Sequence, residues 1–431
     1  MAMSIFSEDF KQAPYWWDLT PRPSLKPNIK NRKIDIAIIG SGYTGLCAGL
    51  LLARAGRSVT IFDAEDAGWG CSSRNGGQIS TSIKPHYKTL VAKYGEEIAF
   101  GVVKEGHNSL SWIKNFISKE NIDCSFTVPG RFHAAHSQKQ FDILASQIED
   151  QYPGLEVDAQ VIAKKYQKSE LGSEIYYGGV VFGAHASLDP ARYHQELLQL
   201  VIKAGAMVIP NCRVVDLKKC AGQIELTTSD GNFDAEEVIV ATNGYTGKLT
   251  PWLRRRVIPI GSYMIATEPM KPELMKELMP KQRVVSDTRK VVYYYRSSPD
   301  GSRIVFGGRV TSGDPNLNKS GFLLRKELIR IFPQLADIKI SHSWMGFVAY
   351  TFNELPHIGN IDGLHYAMGC CGSGVGMSSY LGARIADNLL GSNEHVTGLD
   401  RIKFETRPLY NGNPWFLPVS VAYYRWLDNI R

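Results

Sequence analysis

The stretch IDIAIIGSGYTGLCAGLLLARAG, residues 34–56, constrains the fold more than any other part of the chain. Ile34, Ile36, Ala37, Ile38 and Ile39 form a short apolar run that enters a turn marked by Gly40, Gly42 and Gly45. A run rich in Ala and Leu follows, so the pattern reads strand, turn, helix. The β-branched segment from Ser58 to Asp63 supplies a second strand. Together they make a βαβ unit of about the ~30 residues expected for dinucleotide binding. In Gly40-Ser41-Gly42-Tyr43-Thr44-Gly45 each glycine has its own task. Gly40 allows the tight turn off the strand, Gly42 lets a pyrophosphate approach the backbone, and Gly45 lets the helix pack close to the sheet. The helix N-terminus, at Tyr43 and Thr44, then offers its N–H groups and dipole to the pyrophosphate. Asp63 lies 18 residues beyond Gly45. A carboxylate there accepts from a ribose 2′-OH and repels a 2′-phosphate, so an unphosphorylated adenosine is expected.

No second GxGxxG occurs, which argues against the two-nucleotide arrangement of disulfide reductases. The loop after the second strand, GWGCSSRNGGQIS (residues 68–80), favours a flavin over a nicotinamide. A flavin needs backbone N–H groups along its rings and polar side chains along its diphosphate and ribityl chain.

The rest of the chain bounds the reading. With 431 residues there is room for two domains or one large discontinuous one. The net charge of 49 − 42 = +7 is mild and scattered, without the basic stripe of a nucleic-acid binder. Seven cysteines include no CxxC pair, so neither a disulfide framework nor a metal site is expected, and a reducing cytoplasm suits them. The start, MAMSIFSEDFKQ, lacks the apolar core of a signal peptide. No run reaches the ~18 apolar residues of a membrane span. Tyr15-Trp16-Trp17, ahead of Pro21, Pro23 and Pro27, reads as an aromatic staple onto the body.

Helical spacing covers about 86–120 and 137–151, with a β-like stretch, 124–135, between them. Asp189 caps a helix with Pro190 at its first position and Gly205 at its end. A hairpin over 225–232, a buried strand 238–240 running into Gly244, and a strand–turn–strand over 291–308 follow. Residues 364–376 read as strand and glycine-rich loop, and 378–390 as helix. Nucleotide-type elements at both ends with β-rich material between them predict two interleaved domains. The expected division gives 31–85, 160–255 and 340–400 to a nucleotide domain and 86–159 and 256–339 to a substrate domain. Segments 1–30 and 401–431 are expected to pack on the body.

GSGYTG, FDAEDAGWGCSSRNGGQ, VIVATNGY (238–245) and GCCGSGVGMSSYLG (369–382) resemble the D-amino-acid oxidase, or glycine/sarcosine oxidase-like, superfamily of FAD-dependent amine oxidoreductases. Within it, the SRNGGQ loop, Tyr294-Tyr295-Arg296 before Gly307-Gly308, and Trp344 with Gly346 are most similar to the gamma-glutamylputrescine oxidase type. The resemblance runs from about residue 15 to near the end. It implies an α/β fold with a Rossmann-like FAD domain and a substrate domain whose large antiparallel sheet roofs the flavin. It implies that Gly40, Gly42 and Gly45 take the diphosphate and Asp63 the ribose. Ser72, Ser73, Arg74 and Asn75 would lie near the diphosphate and ribityl chain. Gly76, Gly77 and Gln78 would approach the flavin ring, Val214 would pair its backbone with adenine, and Gly244, Gly372, Gly374 and Val375 would complete the site. Substrate-side candidates on the roofing sheet are Tyr293, Tyr295, Arg296, Trp344 and His133, with Arg296 or Arg309 as the fork for a carboxylate.

The implied chemistry takes a hydride from the carbon next to an amine nitrogen, giving an imine that water hydrolyses, with oxygen as acceptor. A dehydrogenase passing electrons to another carrier, and a flavoprotein acting on or binding tRNA, are the competing readings. Two positions depart from the pattern. Ser373 stands where many relatives carry His, which removes a positive partner for reduced flavin. Gly346 matches the position of the flavin-tethering Cys in covalent sarcosine oxidases, while Cys71, Cys370 and Cys371 lie on the flavin loops. Non-covalent FAD is therefore expected: mass spectrometry of the denatured holoenzyme should give the bare polypeptide mass, and a gain of one flavin would refute it.

Overall fold

The computed structural model describes residues 5–29, 31–81, 83–220, 222–309, 316–392 and 398–430. Small parts of the expected segments, among them 1–4, 310–315, 393–397 and 431, lie outside the described residues. Lys33–Ile39, Val59–Phe62 and Met207–Ile209 pair in parallel, and Gly231–Val240 joins Lys33–Ile39 from the other side, also in parallel. Leu364–Met368 continues in parallel from Gly231–Val240. The antiparallel strands Val214–Cys220 and Gln223–Thr228 widen the sheet, and His357–Ile361 pairs with Leu364–Met368. One face carries the helices Tyr43–Arg54, Glu96–Lys119, Pro190–Lys203 and Gly374–Leu389. They bury Leu46, Leu50, Val102, Leu197, Leu381 and Ile385 against Ile36, Ile38 and Ile61. The βαβ reading from sequence therefore holds, including Asp189, which accepts from the N–H groups of Ala191 and Arg192.

The second sheet has nine strands. Their order is Phe6–Lys11, Ile340–Tyr350, Ile258–Thr267, Ile304–Gly308, Tyr294–Ser297, Val284–Asp287, Arg131–Ala134, Gly178–Phe182 and Ala159–Ala163. Neighbours are antiparallel except for two pairs: Phe6–Lys11 with Ile340–Tyr350, and Val284–Asp287 with Arg131–Ala134. Strand register sorts its residues into two faces, because successive side chains alternate. Cross-strand partners place His133, Ser286, Tyr294, Gly307, Met264 and Trp344 in one row. Phe132, Val285, Tyr295, Phe306 and Ile265 form the next row and point the other way, into a core closed by Leu324 and Leu328 of the helix Leu317–Ile331.

Four segments change sides when the chain is divided by sheet. Ala159–Ala163 and Gly178–Phe182 pair into the nine-stranded sheet, as does Ile340–Tyr350. The long helix Glu96–Lys119 packs with the nucleotide-type sheet. Sequence position alone hides this, since each of these segments adjoins one unit and crosses to the other.

The termini are tied down at named atoms. Trp16 is fully buried, and its indole N–H bonds the Asn75 carbonyl at 2.8 Å. The C-terminal helix Leu417–Ile430 anchors through Asp428, which accepts from the backbone N–H groups of Lys290 and Val291. No helix among the described residues is long and apolar enough to cross a membrane.

His194 and His357 are buried neutral: burial pulls their pKa values down to about 4 and about 3. The unfolded chain takes up protons near pH 6.5 while the folded one does not, so the unfolded state binds more protons below that pH. Stability is thus full above about pH 6.5 and falls as the pH drops towards 4. Each histidine should remove on the order of 2 kcal/mol by pH 5. A thermal-denaturation series should show a flat Tm from pH 8 to 7 and a steep fall between 6.5 and 5, and His357→Gln should soften the fall.

Candidate active site

Strand Lys33–Ile39 delivers the chain to Gly40, whose φ of +108° turns it sharply beneath Ala241. A Cβ on Gly45 would lie 2.0 Å from the Gly40 carbonyl oxygen, so only glycine allows the helix Tyr43–Arg54 to start this close to the turn. That helix has no capping bond from its own N-cap residue, Gly42, and no acid in its first turn. The Ser72 hydroxyl reaches in from the next loop and accepts from the Tyr43 N–H at 3.1 Å. Thr44 bonds the Ser378 carbonyl and so links this helix to Gly374–Leu389. An open helix N-terminus flanked by Gly42 and a serine hydroxyl fits a diphosphate.

Asp63 does more than the sequence suggests. Its carboxylate accepts from the Ser41 N–H (2.9 Å), the Ser41 hydroxyl (2.6 Å) and the Glu65 N–H (3.1 Å). Burial raises its pKa above the ordinary carboxylate value against the pull of these bonds. It therefore braces the glycine turn and still has lone pairs for a ribose hydroxyl. The Cys212 N–H bonds the Asp63 carbonyl, which brings buried Val214 to the same end of the sheet.

The loop 68–80 is held by two of its own side chains, Ser73 and Asn75, and by other parts of the chain. Ser73 donates to the Gly68 carbonyl and accepts from the Trp17 indole. Asn75 donates to the carbonyls of Cys71 and Ser72 and accepts from the Gly77 N–H. The Arg74 guanidinium sits between the rings of Trp17 and Trp69, 4.9 and 4.4 Å from their centroids, and bonds the Met345 carbonyl. Gly76 lies under the Tyr294 ring. Gly77, at φ +65°, passes so near Leu188 that a Cβ would stand 2.1 Å from its carbonyl oxygen. Gln78 pairs with Ser187 in a short antiparallel ladder. Trp16 and Trp17, expected only as a staple, support this loop, as does Arg22, which the sequence did not mark and which bonds the Ala67 carbonyl and Ser73.

Gly244 lies against Phe347, where a Cβ would meet its carbonyl oxygen at 2.7 Å. Gly372, at φ +103°, has only the Tyr350 hydroxyl within reach of a Cβ, at 3.7 Å. Gly374 and Val375 open the second uncapped helix, behind Ser373. These glycines, the Ser72 hydroxyl and two open helix ends make a cradle that fits the flavin dinucleotide. A Cβ on Gly346 would meet the Cys71 sulfur at 2.7 Å. The Cys71 thiol donates to the Phe347 carbonyl, and burial pushes its pKa up to about 11. Cys371 is likewise pushed up to about 11, and Cys370 is raised. None of the three is a ready thiolate.

On the substrate side the structure corrects several expectations. Tyr293 and Tyr295 point away from the loop; Tyr295 is buried among Tyr176, Phe306 and Phe332. The strand alternates so that Tyr294, between the two expected tyrosines, is the ring that faces Gly76. Its hydroxyl bonds Ser262 at 2.8 Å. Arg296 is 5% exposed and donates to the carbonyls of Leu188, Gly77 and Ser297. Through Nε and Nη1 it bolts the sheet to the loop, where the expectation had it forking a substrate carboxylate. Trp344 donates to the Arg74 carbonyl at 2.8 Å and positions that loop from within a core. His133 contacts Ser286 at 2.9 Å, two strands from Tyr294. Arg309 meets the Tyr350 hydroxyl, and its guanidinium lies 4.5 Å from that ring's centroid. Lys84 donates to the same hydroxyl, with its ammonium 4.3 Å from the centroid. Two cations and a phenol thus converge beside Gly372. Lys84 and Tyr350 carry no motif, and only the folded chain brings them together.

A model of the family described as FAD dependent oxidoreductase matches residues 35–388. The gamma-glutamylputrescine oxidoreductase of Escherichia coli (strain K12) is 30% identical over 408 residues, covering 92% of this chain and 93% of its own. A probable oxidoreductase OrdL of Rhizobium meliloti (strain 1021) is 30% identical over 401 residues, covering 91% and 92%. Among solved structures, glycine oxidase from Geobacillus kaustophilus superposes with a TM-score of 0.73 at 20% identity, covering 88% of this chain and 99% of that one. The glycine turn, the loop that follows it and the sheet above them are therefore those of an FAD-dependent oxidoreductase, and the chain belongs to that family.

Proposed function

We propose that the enzyme oxidises a small amine or amino-acid derivative at the carbon next to nitrogen, and that the imine product hydrolyses to an aldehyde or keto compound. Bound FAD, held without a covalent link, supplies the hydride acceptor. The observation that carries the reading is the face of the nine-stranded sheet set above Gly76 and Gly77, where Tyr294, Met264 and Trp344 stand in one row. The name of the gamma-glutamylputrescine relative points to the same substrate class.

This chain's own residues orient the substrate and keep water away. The aromatic and apolar row disfavours an ammonium, so the amine nitrogen enters neutral with its lone pair available. Tyr294, fixed by Ser262, closes one side. Arg309, Lys84 and Tyr350 form the station for a substrate carboxylate, because a guanidinium, an ammonium and a hydroxyl all donate there. No acid–base pair is needed if the nitrogen arrives deprotonated. Oxygen is the proposed acceptor.

An aerobic screen of the yellow holoenzyme with amines and N-substituted amino acids tests the reading. Bleaching of the flavin with stoichiometric peroxide is the expected result. Bleaching that persists in air would replace the oxidase with a dehydrogenase, and no bleaching with any amine would remove the amine reading. Gly42→Ala adds a Cβ 2.9 Å from the Ser72 hydroxyl, at the proposed diphosphate bed. It should weaken FAD retention about tenfold, read by flavin absorbance after dialysis. Arg309→Gln should raise KM for carboxylate-bearing substrates by roughly 10- to 100-fold, with kcat little changed, through loss of a charge-assisted hydrogen bond.

A further inference from the structure

The outer side of the C-terminal helix Leu417–Ile430 is aromatic where a surface helix is ordinarily polar. Its inner side begins with Phe416 and Leu417, packed with Ile258, Tyr350 and Tyr410, and ends with Asp428 on the backbone of Lys290 and Val291. On the outer side Val419, Tyr423 and Trp426 recur at spacings of four and three residues, so they share one face, and Trp415 just ahead of the helix continues it. Val419 is 75% exposed, Trp415 67% and Trp426 57%. Leu409, 91% exposed, is held out at φ +64° on the turn before Tyr410. Of the 14 residues in the helix only Arg425 and Asp428 are charged. Single exposed apolar side chains are ordinary, but a continuous stripe marks a surface that is covered in use.

The charge left over around this stripe is positive. Arg254 packs against Gly412, and the carbonyl of exposed Arg255 accepts from Thr406. Neither arginine meets a carboxylate among the described residues. Arg425 on the helix and Lys290 at its far end are exposed as well. The acids nearby are already engaged. Glu405 is shared by Lys93 and Arg407, and Asp428 holds two backbone N–H groups. Glu327, which together with Arg425 acts on Tyr293, is paired with Arg330.

A second copy of the chain matches such a face poorly. An isologous contact sets a patch against itself, so arginines would meet arginines with no free acid between them. A bilayer that contains anionic lipid matches both parts at once. Trp and Tyr rings favour the headgroup level, the aliphatic Val419 and Leu409 reach the start of the acyl chains, and lipid phosphates answer the guanidinium groups. Docking on a surface needs no spanning helix, and none is found among the described residues.

We propose that Trp415, Val419, Tyr423 and Trp426, with Leu409 and the flanking Arg254 and Arg255, dock the enzyme on the surface of a bilayer containing anionic lipid, the helix lying in the plane of the headgroups. The inference stands apart from the amine-oxidising reading. The same helix backs the carboxylate station, because Arg425 donates to the Arg309 carbonyl at 2.9 Å and Phe416 and Leu417 pack with Tyr350. Docking therefore sets that station close behind the membrane surface.

Flotation of the holoenzyme with lipid vesicles tests the docking face. Vesicles of phosphatidylcholine with about one-third phosphatidylglycerol should carry the wild type up the gradient, pure phosphatidylcholine should carry far less, and about 0.5 M salt should release much of the bound enzyme. Trp415→Ser combined with Trp426→Ser should lower the partition coefficient about tenfold, with flavin content and Tm unchanged because both rings are exposed. Arg254→Gln combined with Arg255→Gln should weaken the preference for phosphatidylglycerol. Brominated phosphatidylcholine in the vesicles should quench the tryptophan fluorescence of the wild type, a readout that needs no variant. Wild type that stays at the bottom of the gradient with anionic vesicles would overturn the proposal, as would binding that persists undiminished in the double tryptophan variant. A lipid-free dimer in sedimentation equilibrium that the tryptophan variant dissociates would also overturn it, since a second copy would then cover the face.

Discussion

A glycine-rich loop has few side chains with which to hold itself, so part of its shape must be borrowed. In this protein the loop 68–80 borrows it through backbone carbonyls. The Asn75 carbonyl is held by Trp16, that of Arg74 by Trp344, and that of Gly77 by Arg296. Each donor is almost fully buried, where an unmade hydrogen bond is expensive and a made one is rigid. The nucleotide turn, the large sheet and the N-terminal segment all meet at these atoms. Removing Trp16 or Trp344 would leave a buried carbonyl without a partner, whereas the Gly77 carbonyl would keep the Leu188 N–H and lose its tie to the sheet.

The same logic separates residues that build the site from those free to act on a substrate. Arg296 looks like a carboxylate fork in the sequence, but three carbonyls already claim it. Arg309, at the end of the neighbouring strand, meets a phenol that a lysine also shares and, among the described residues, no carboxylate, and so its charge remains available. Cys71 lies beside Gly346, the position matched to the tethering cysteine of covalent relatives, but its thiol is spent on a carbonyl and held protonated.

Legibility in the sequence followed the range of the interaction. The glycine turn, the Asp189 cap and the hairpin at Asp230-Gly231 are local, and the spacing of Gly40, Gly42 and Gly45 stated their purpose outright. The two-sheet α/β architecture was accessible through the resemblance carried by those local motifs. The face of the strand Tyr294–Ser297 was not, because three consecutive tyrosines erase the alternation that would reveal it. Lys84, Arg309 and Tyr350 are more than 200 residues apart at the extremes, and nothing local links them. The crossing of Gly178–Phe182 and Ile340–Tyr350 into the large sheet was hidden for the same reason.

The bolts on the loop also set an order of events. Trp16, Arg296 and Trp344 lie in the first twentieth, the third quarter and the last quarter of the chain. A ribosome that has made the nucleotide turn has not yet made most of what shapes the loop beside it. The nascent βαβ unit can fold early through local contacts, whereas the flavin bed waits for closures spanning some 270 residues. Cofactor capture is therefore a late step of folding, and a chain truncated before Trp344 would keep the motif that marks an FAD protein while lacking the completed loop meant to hold the flavin.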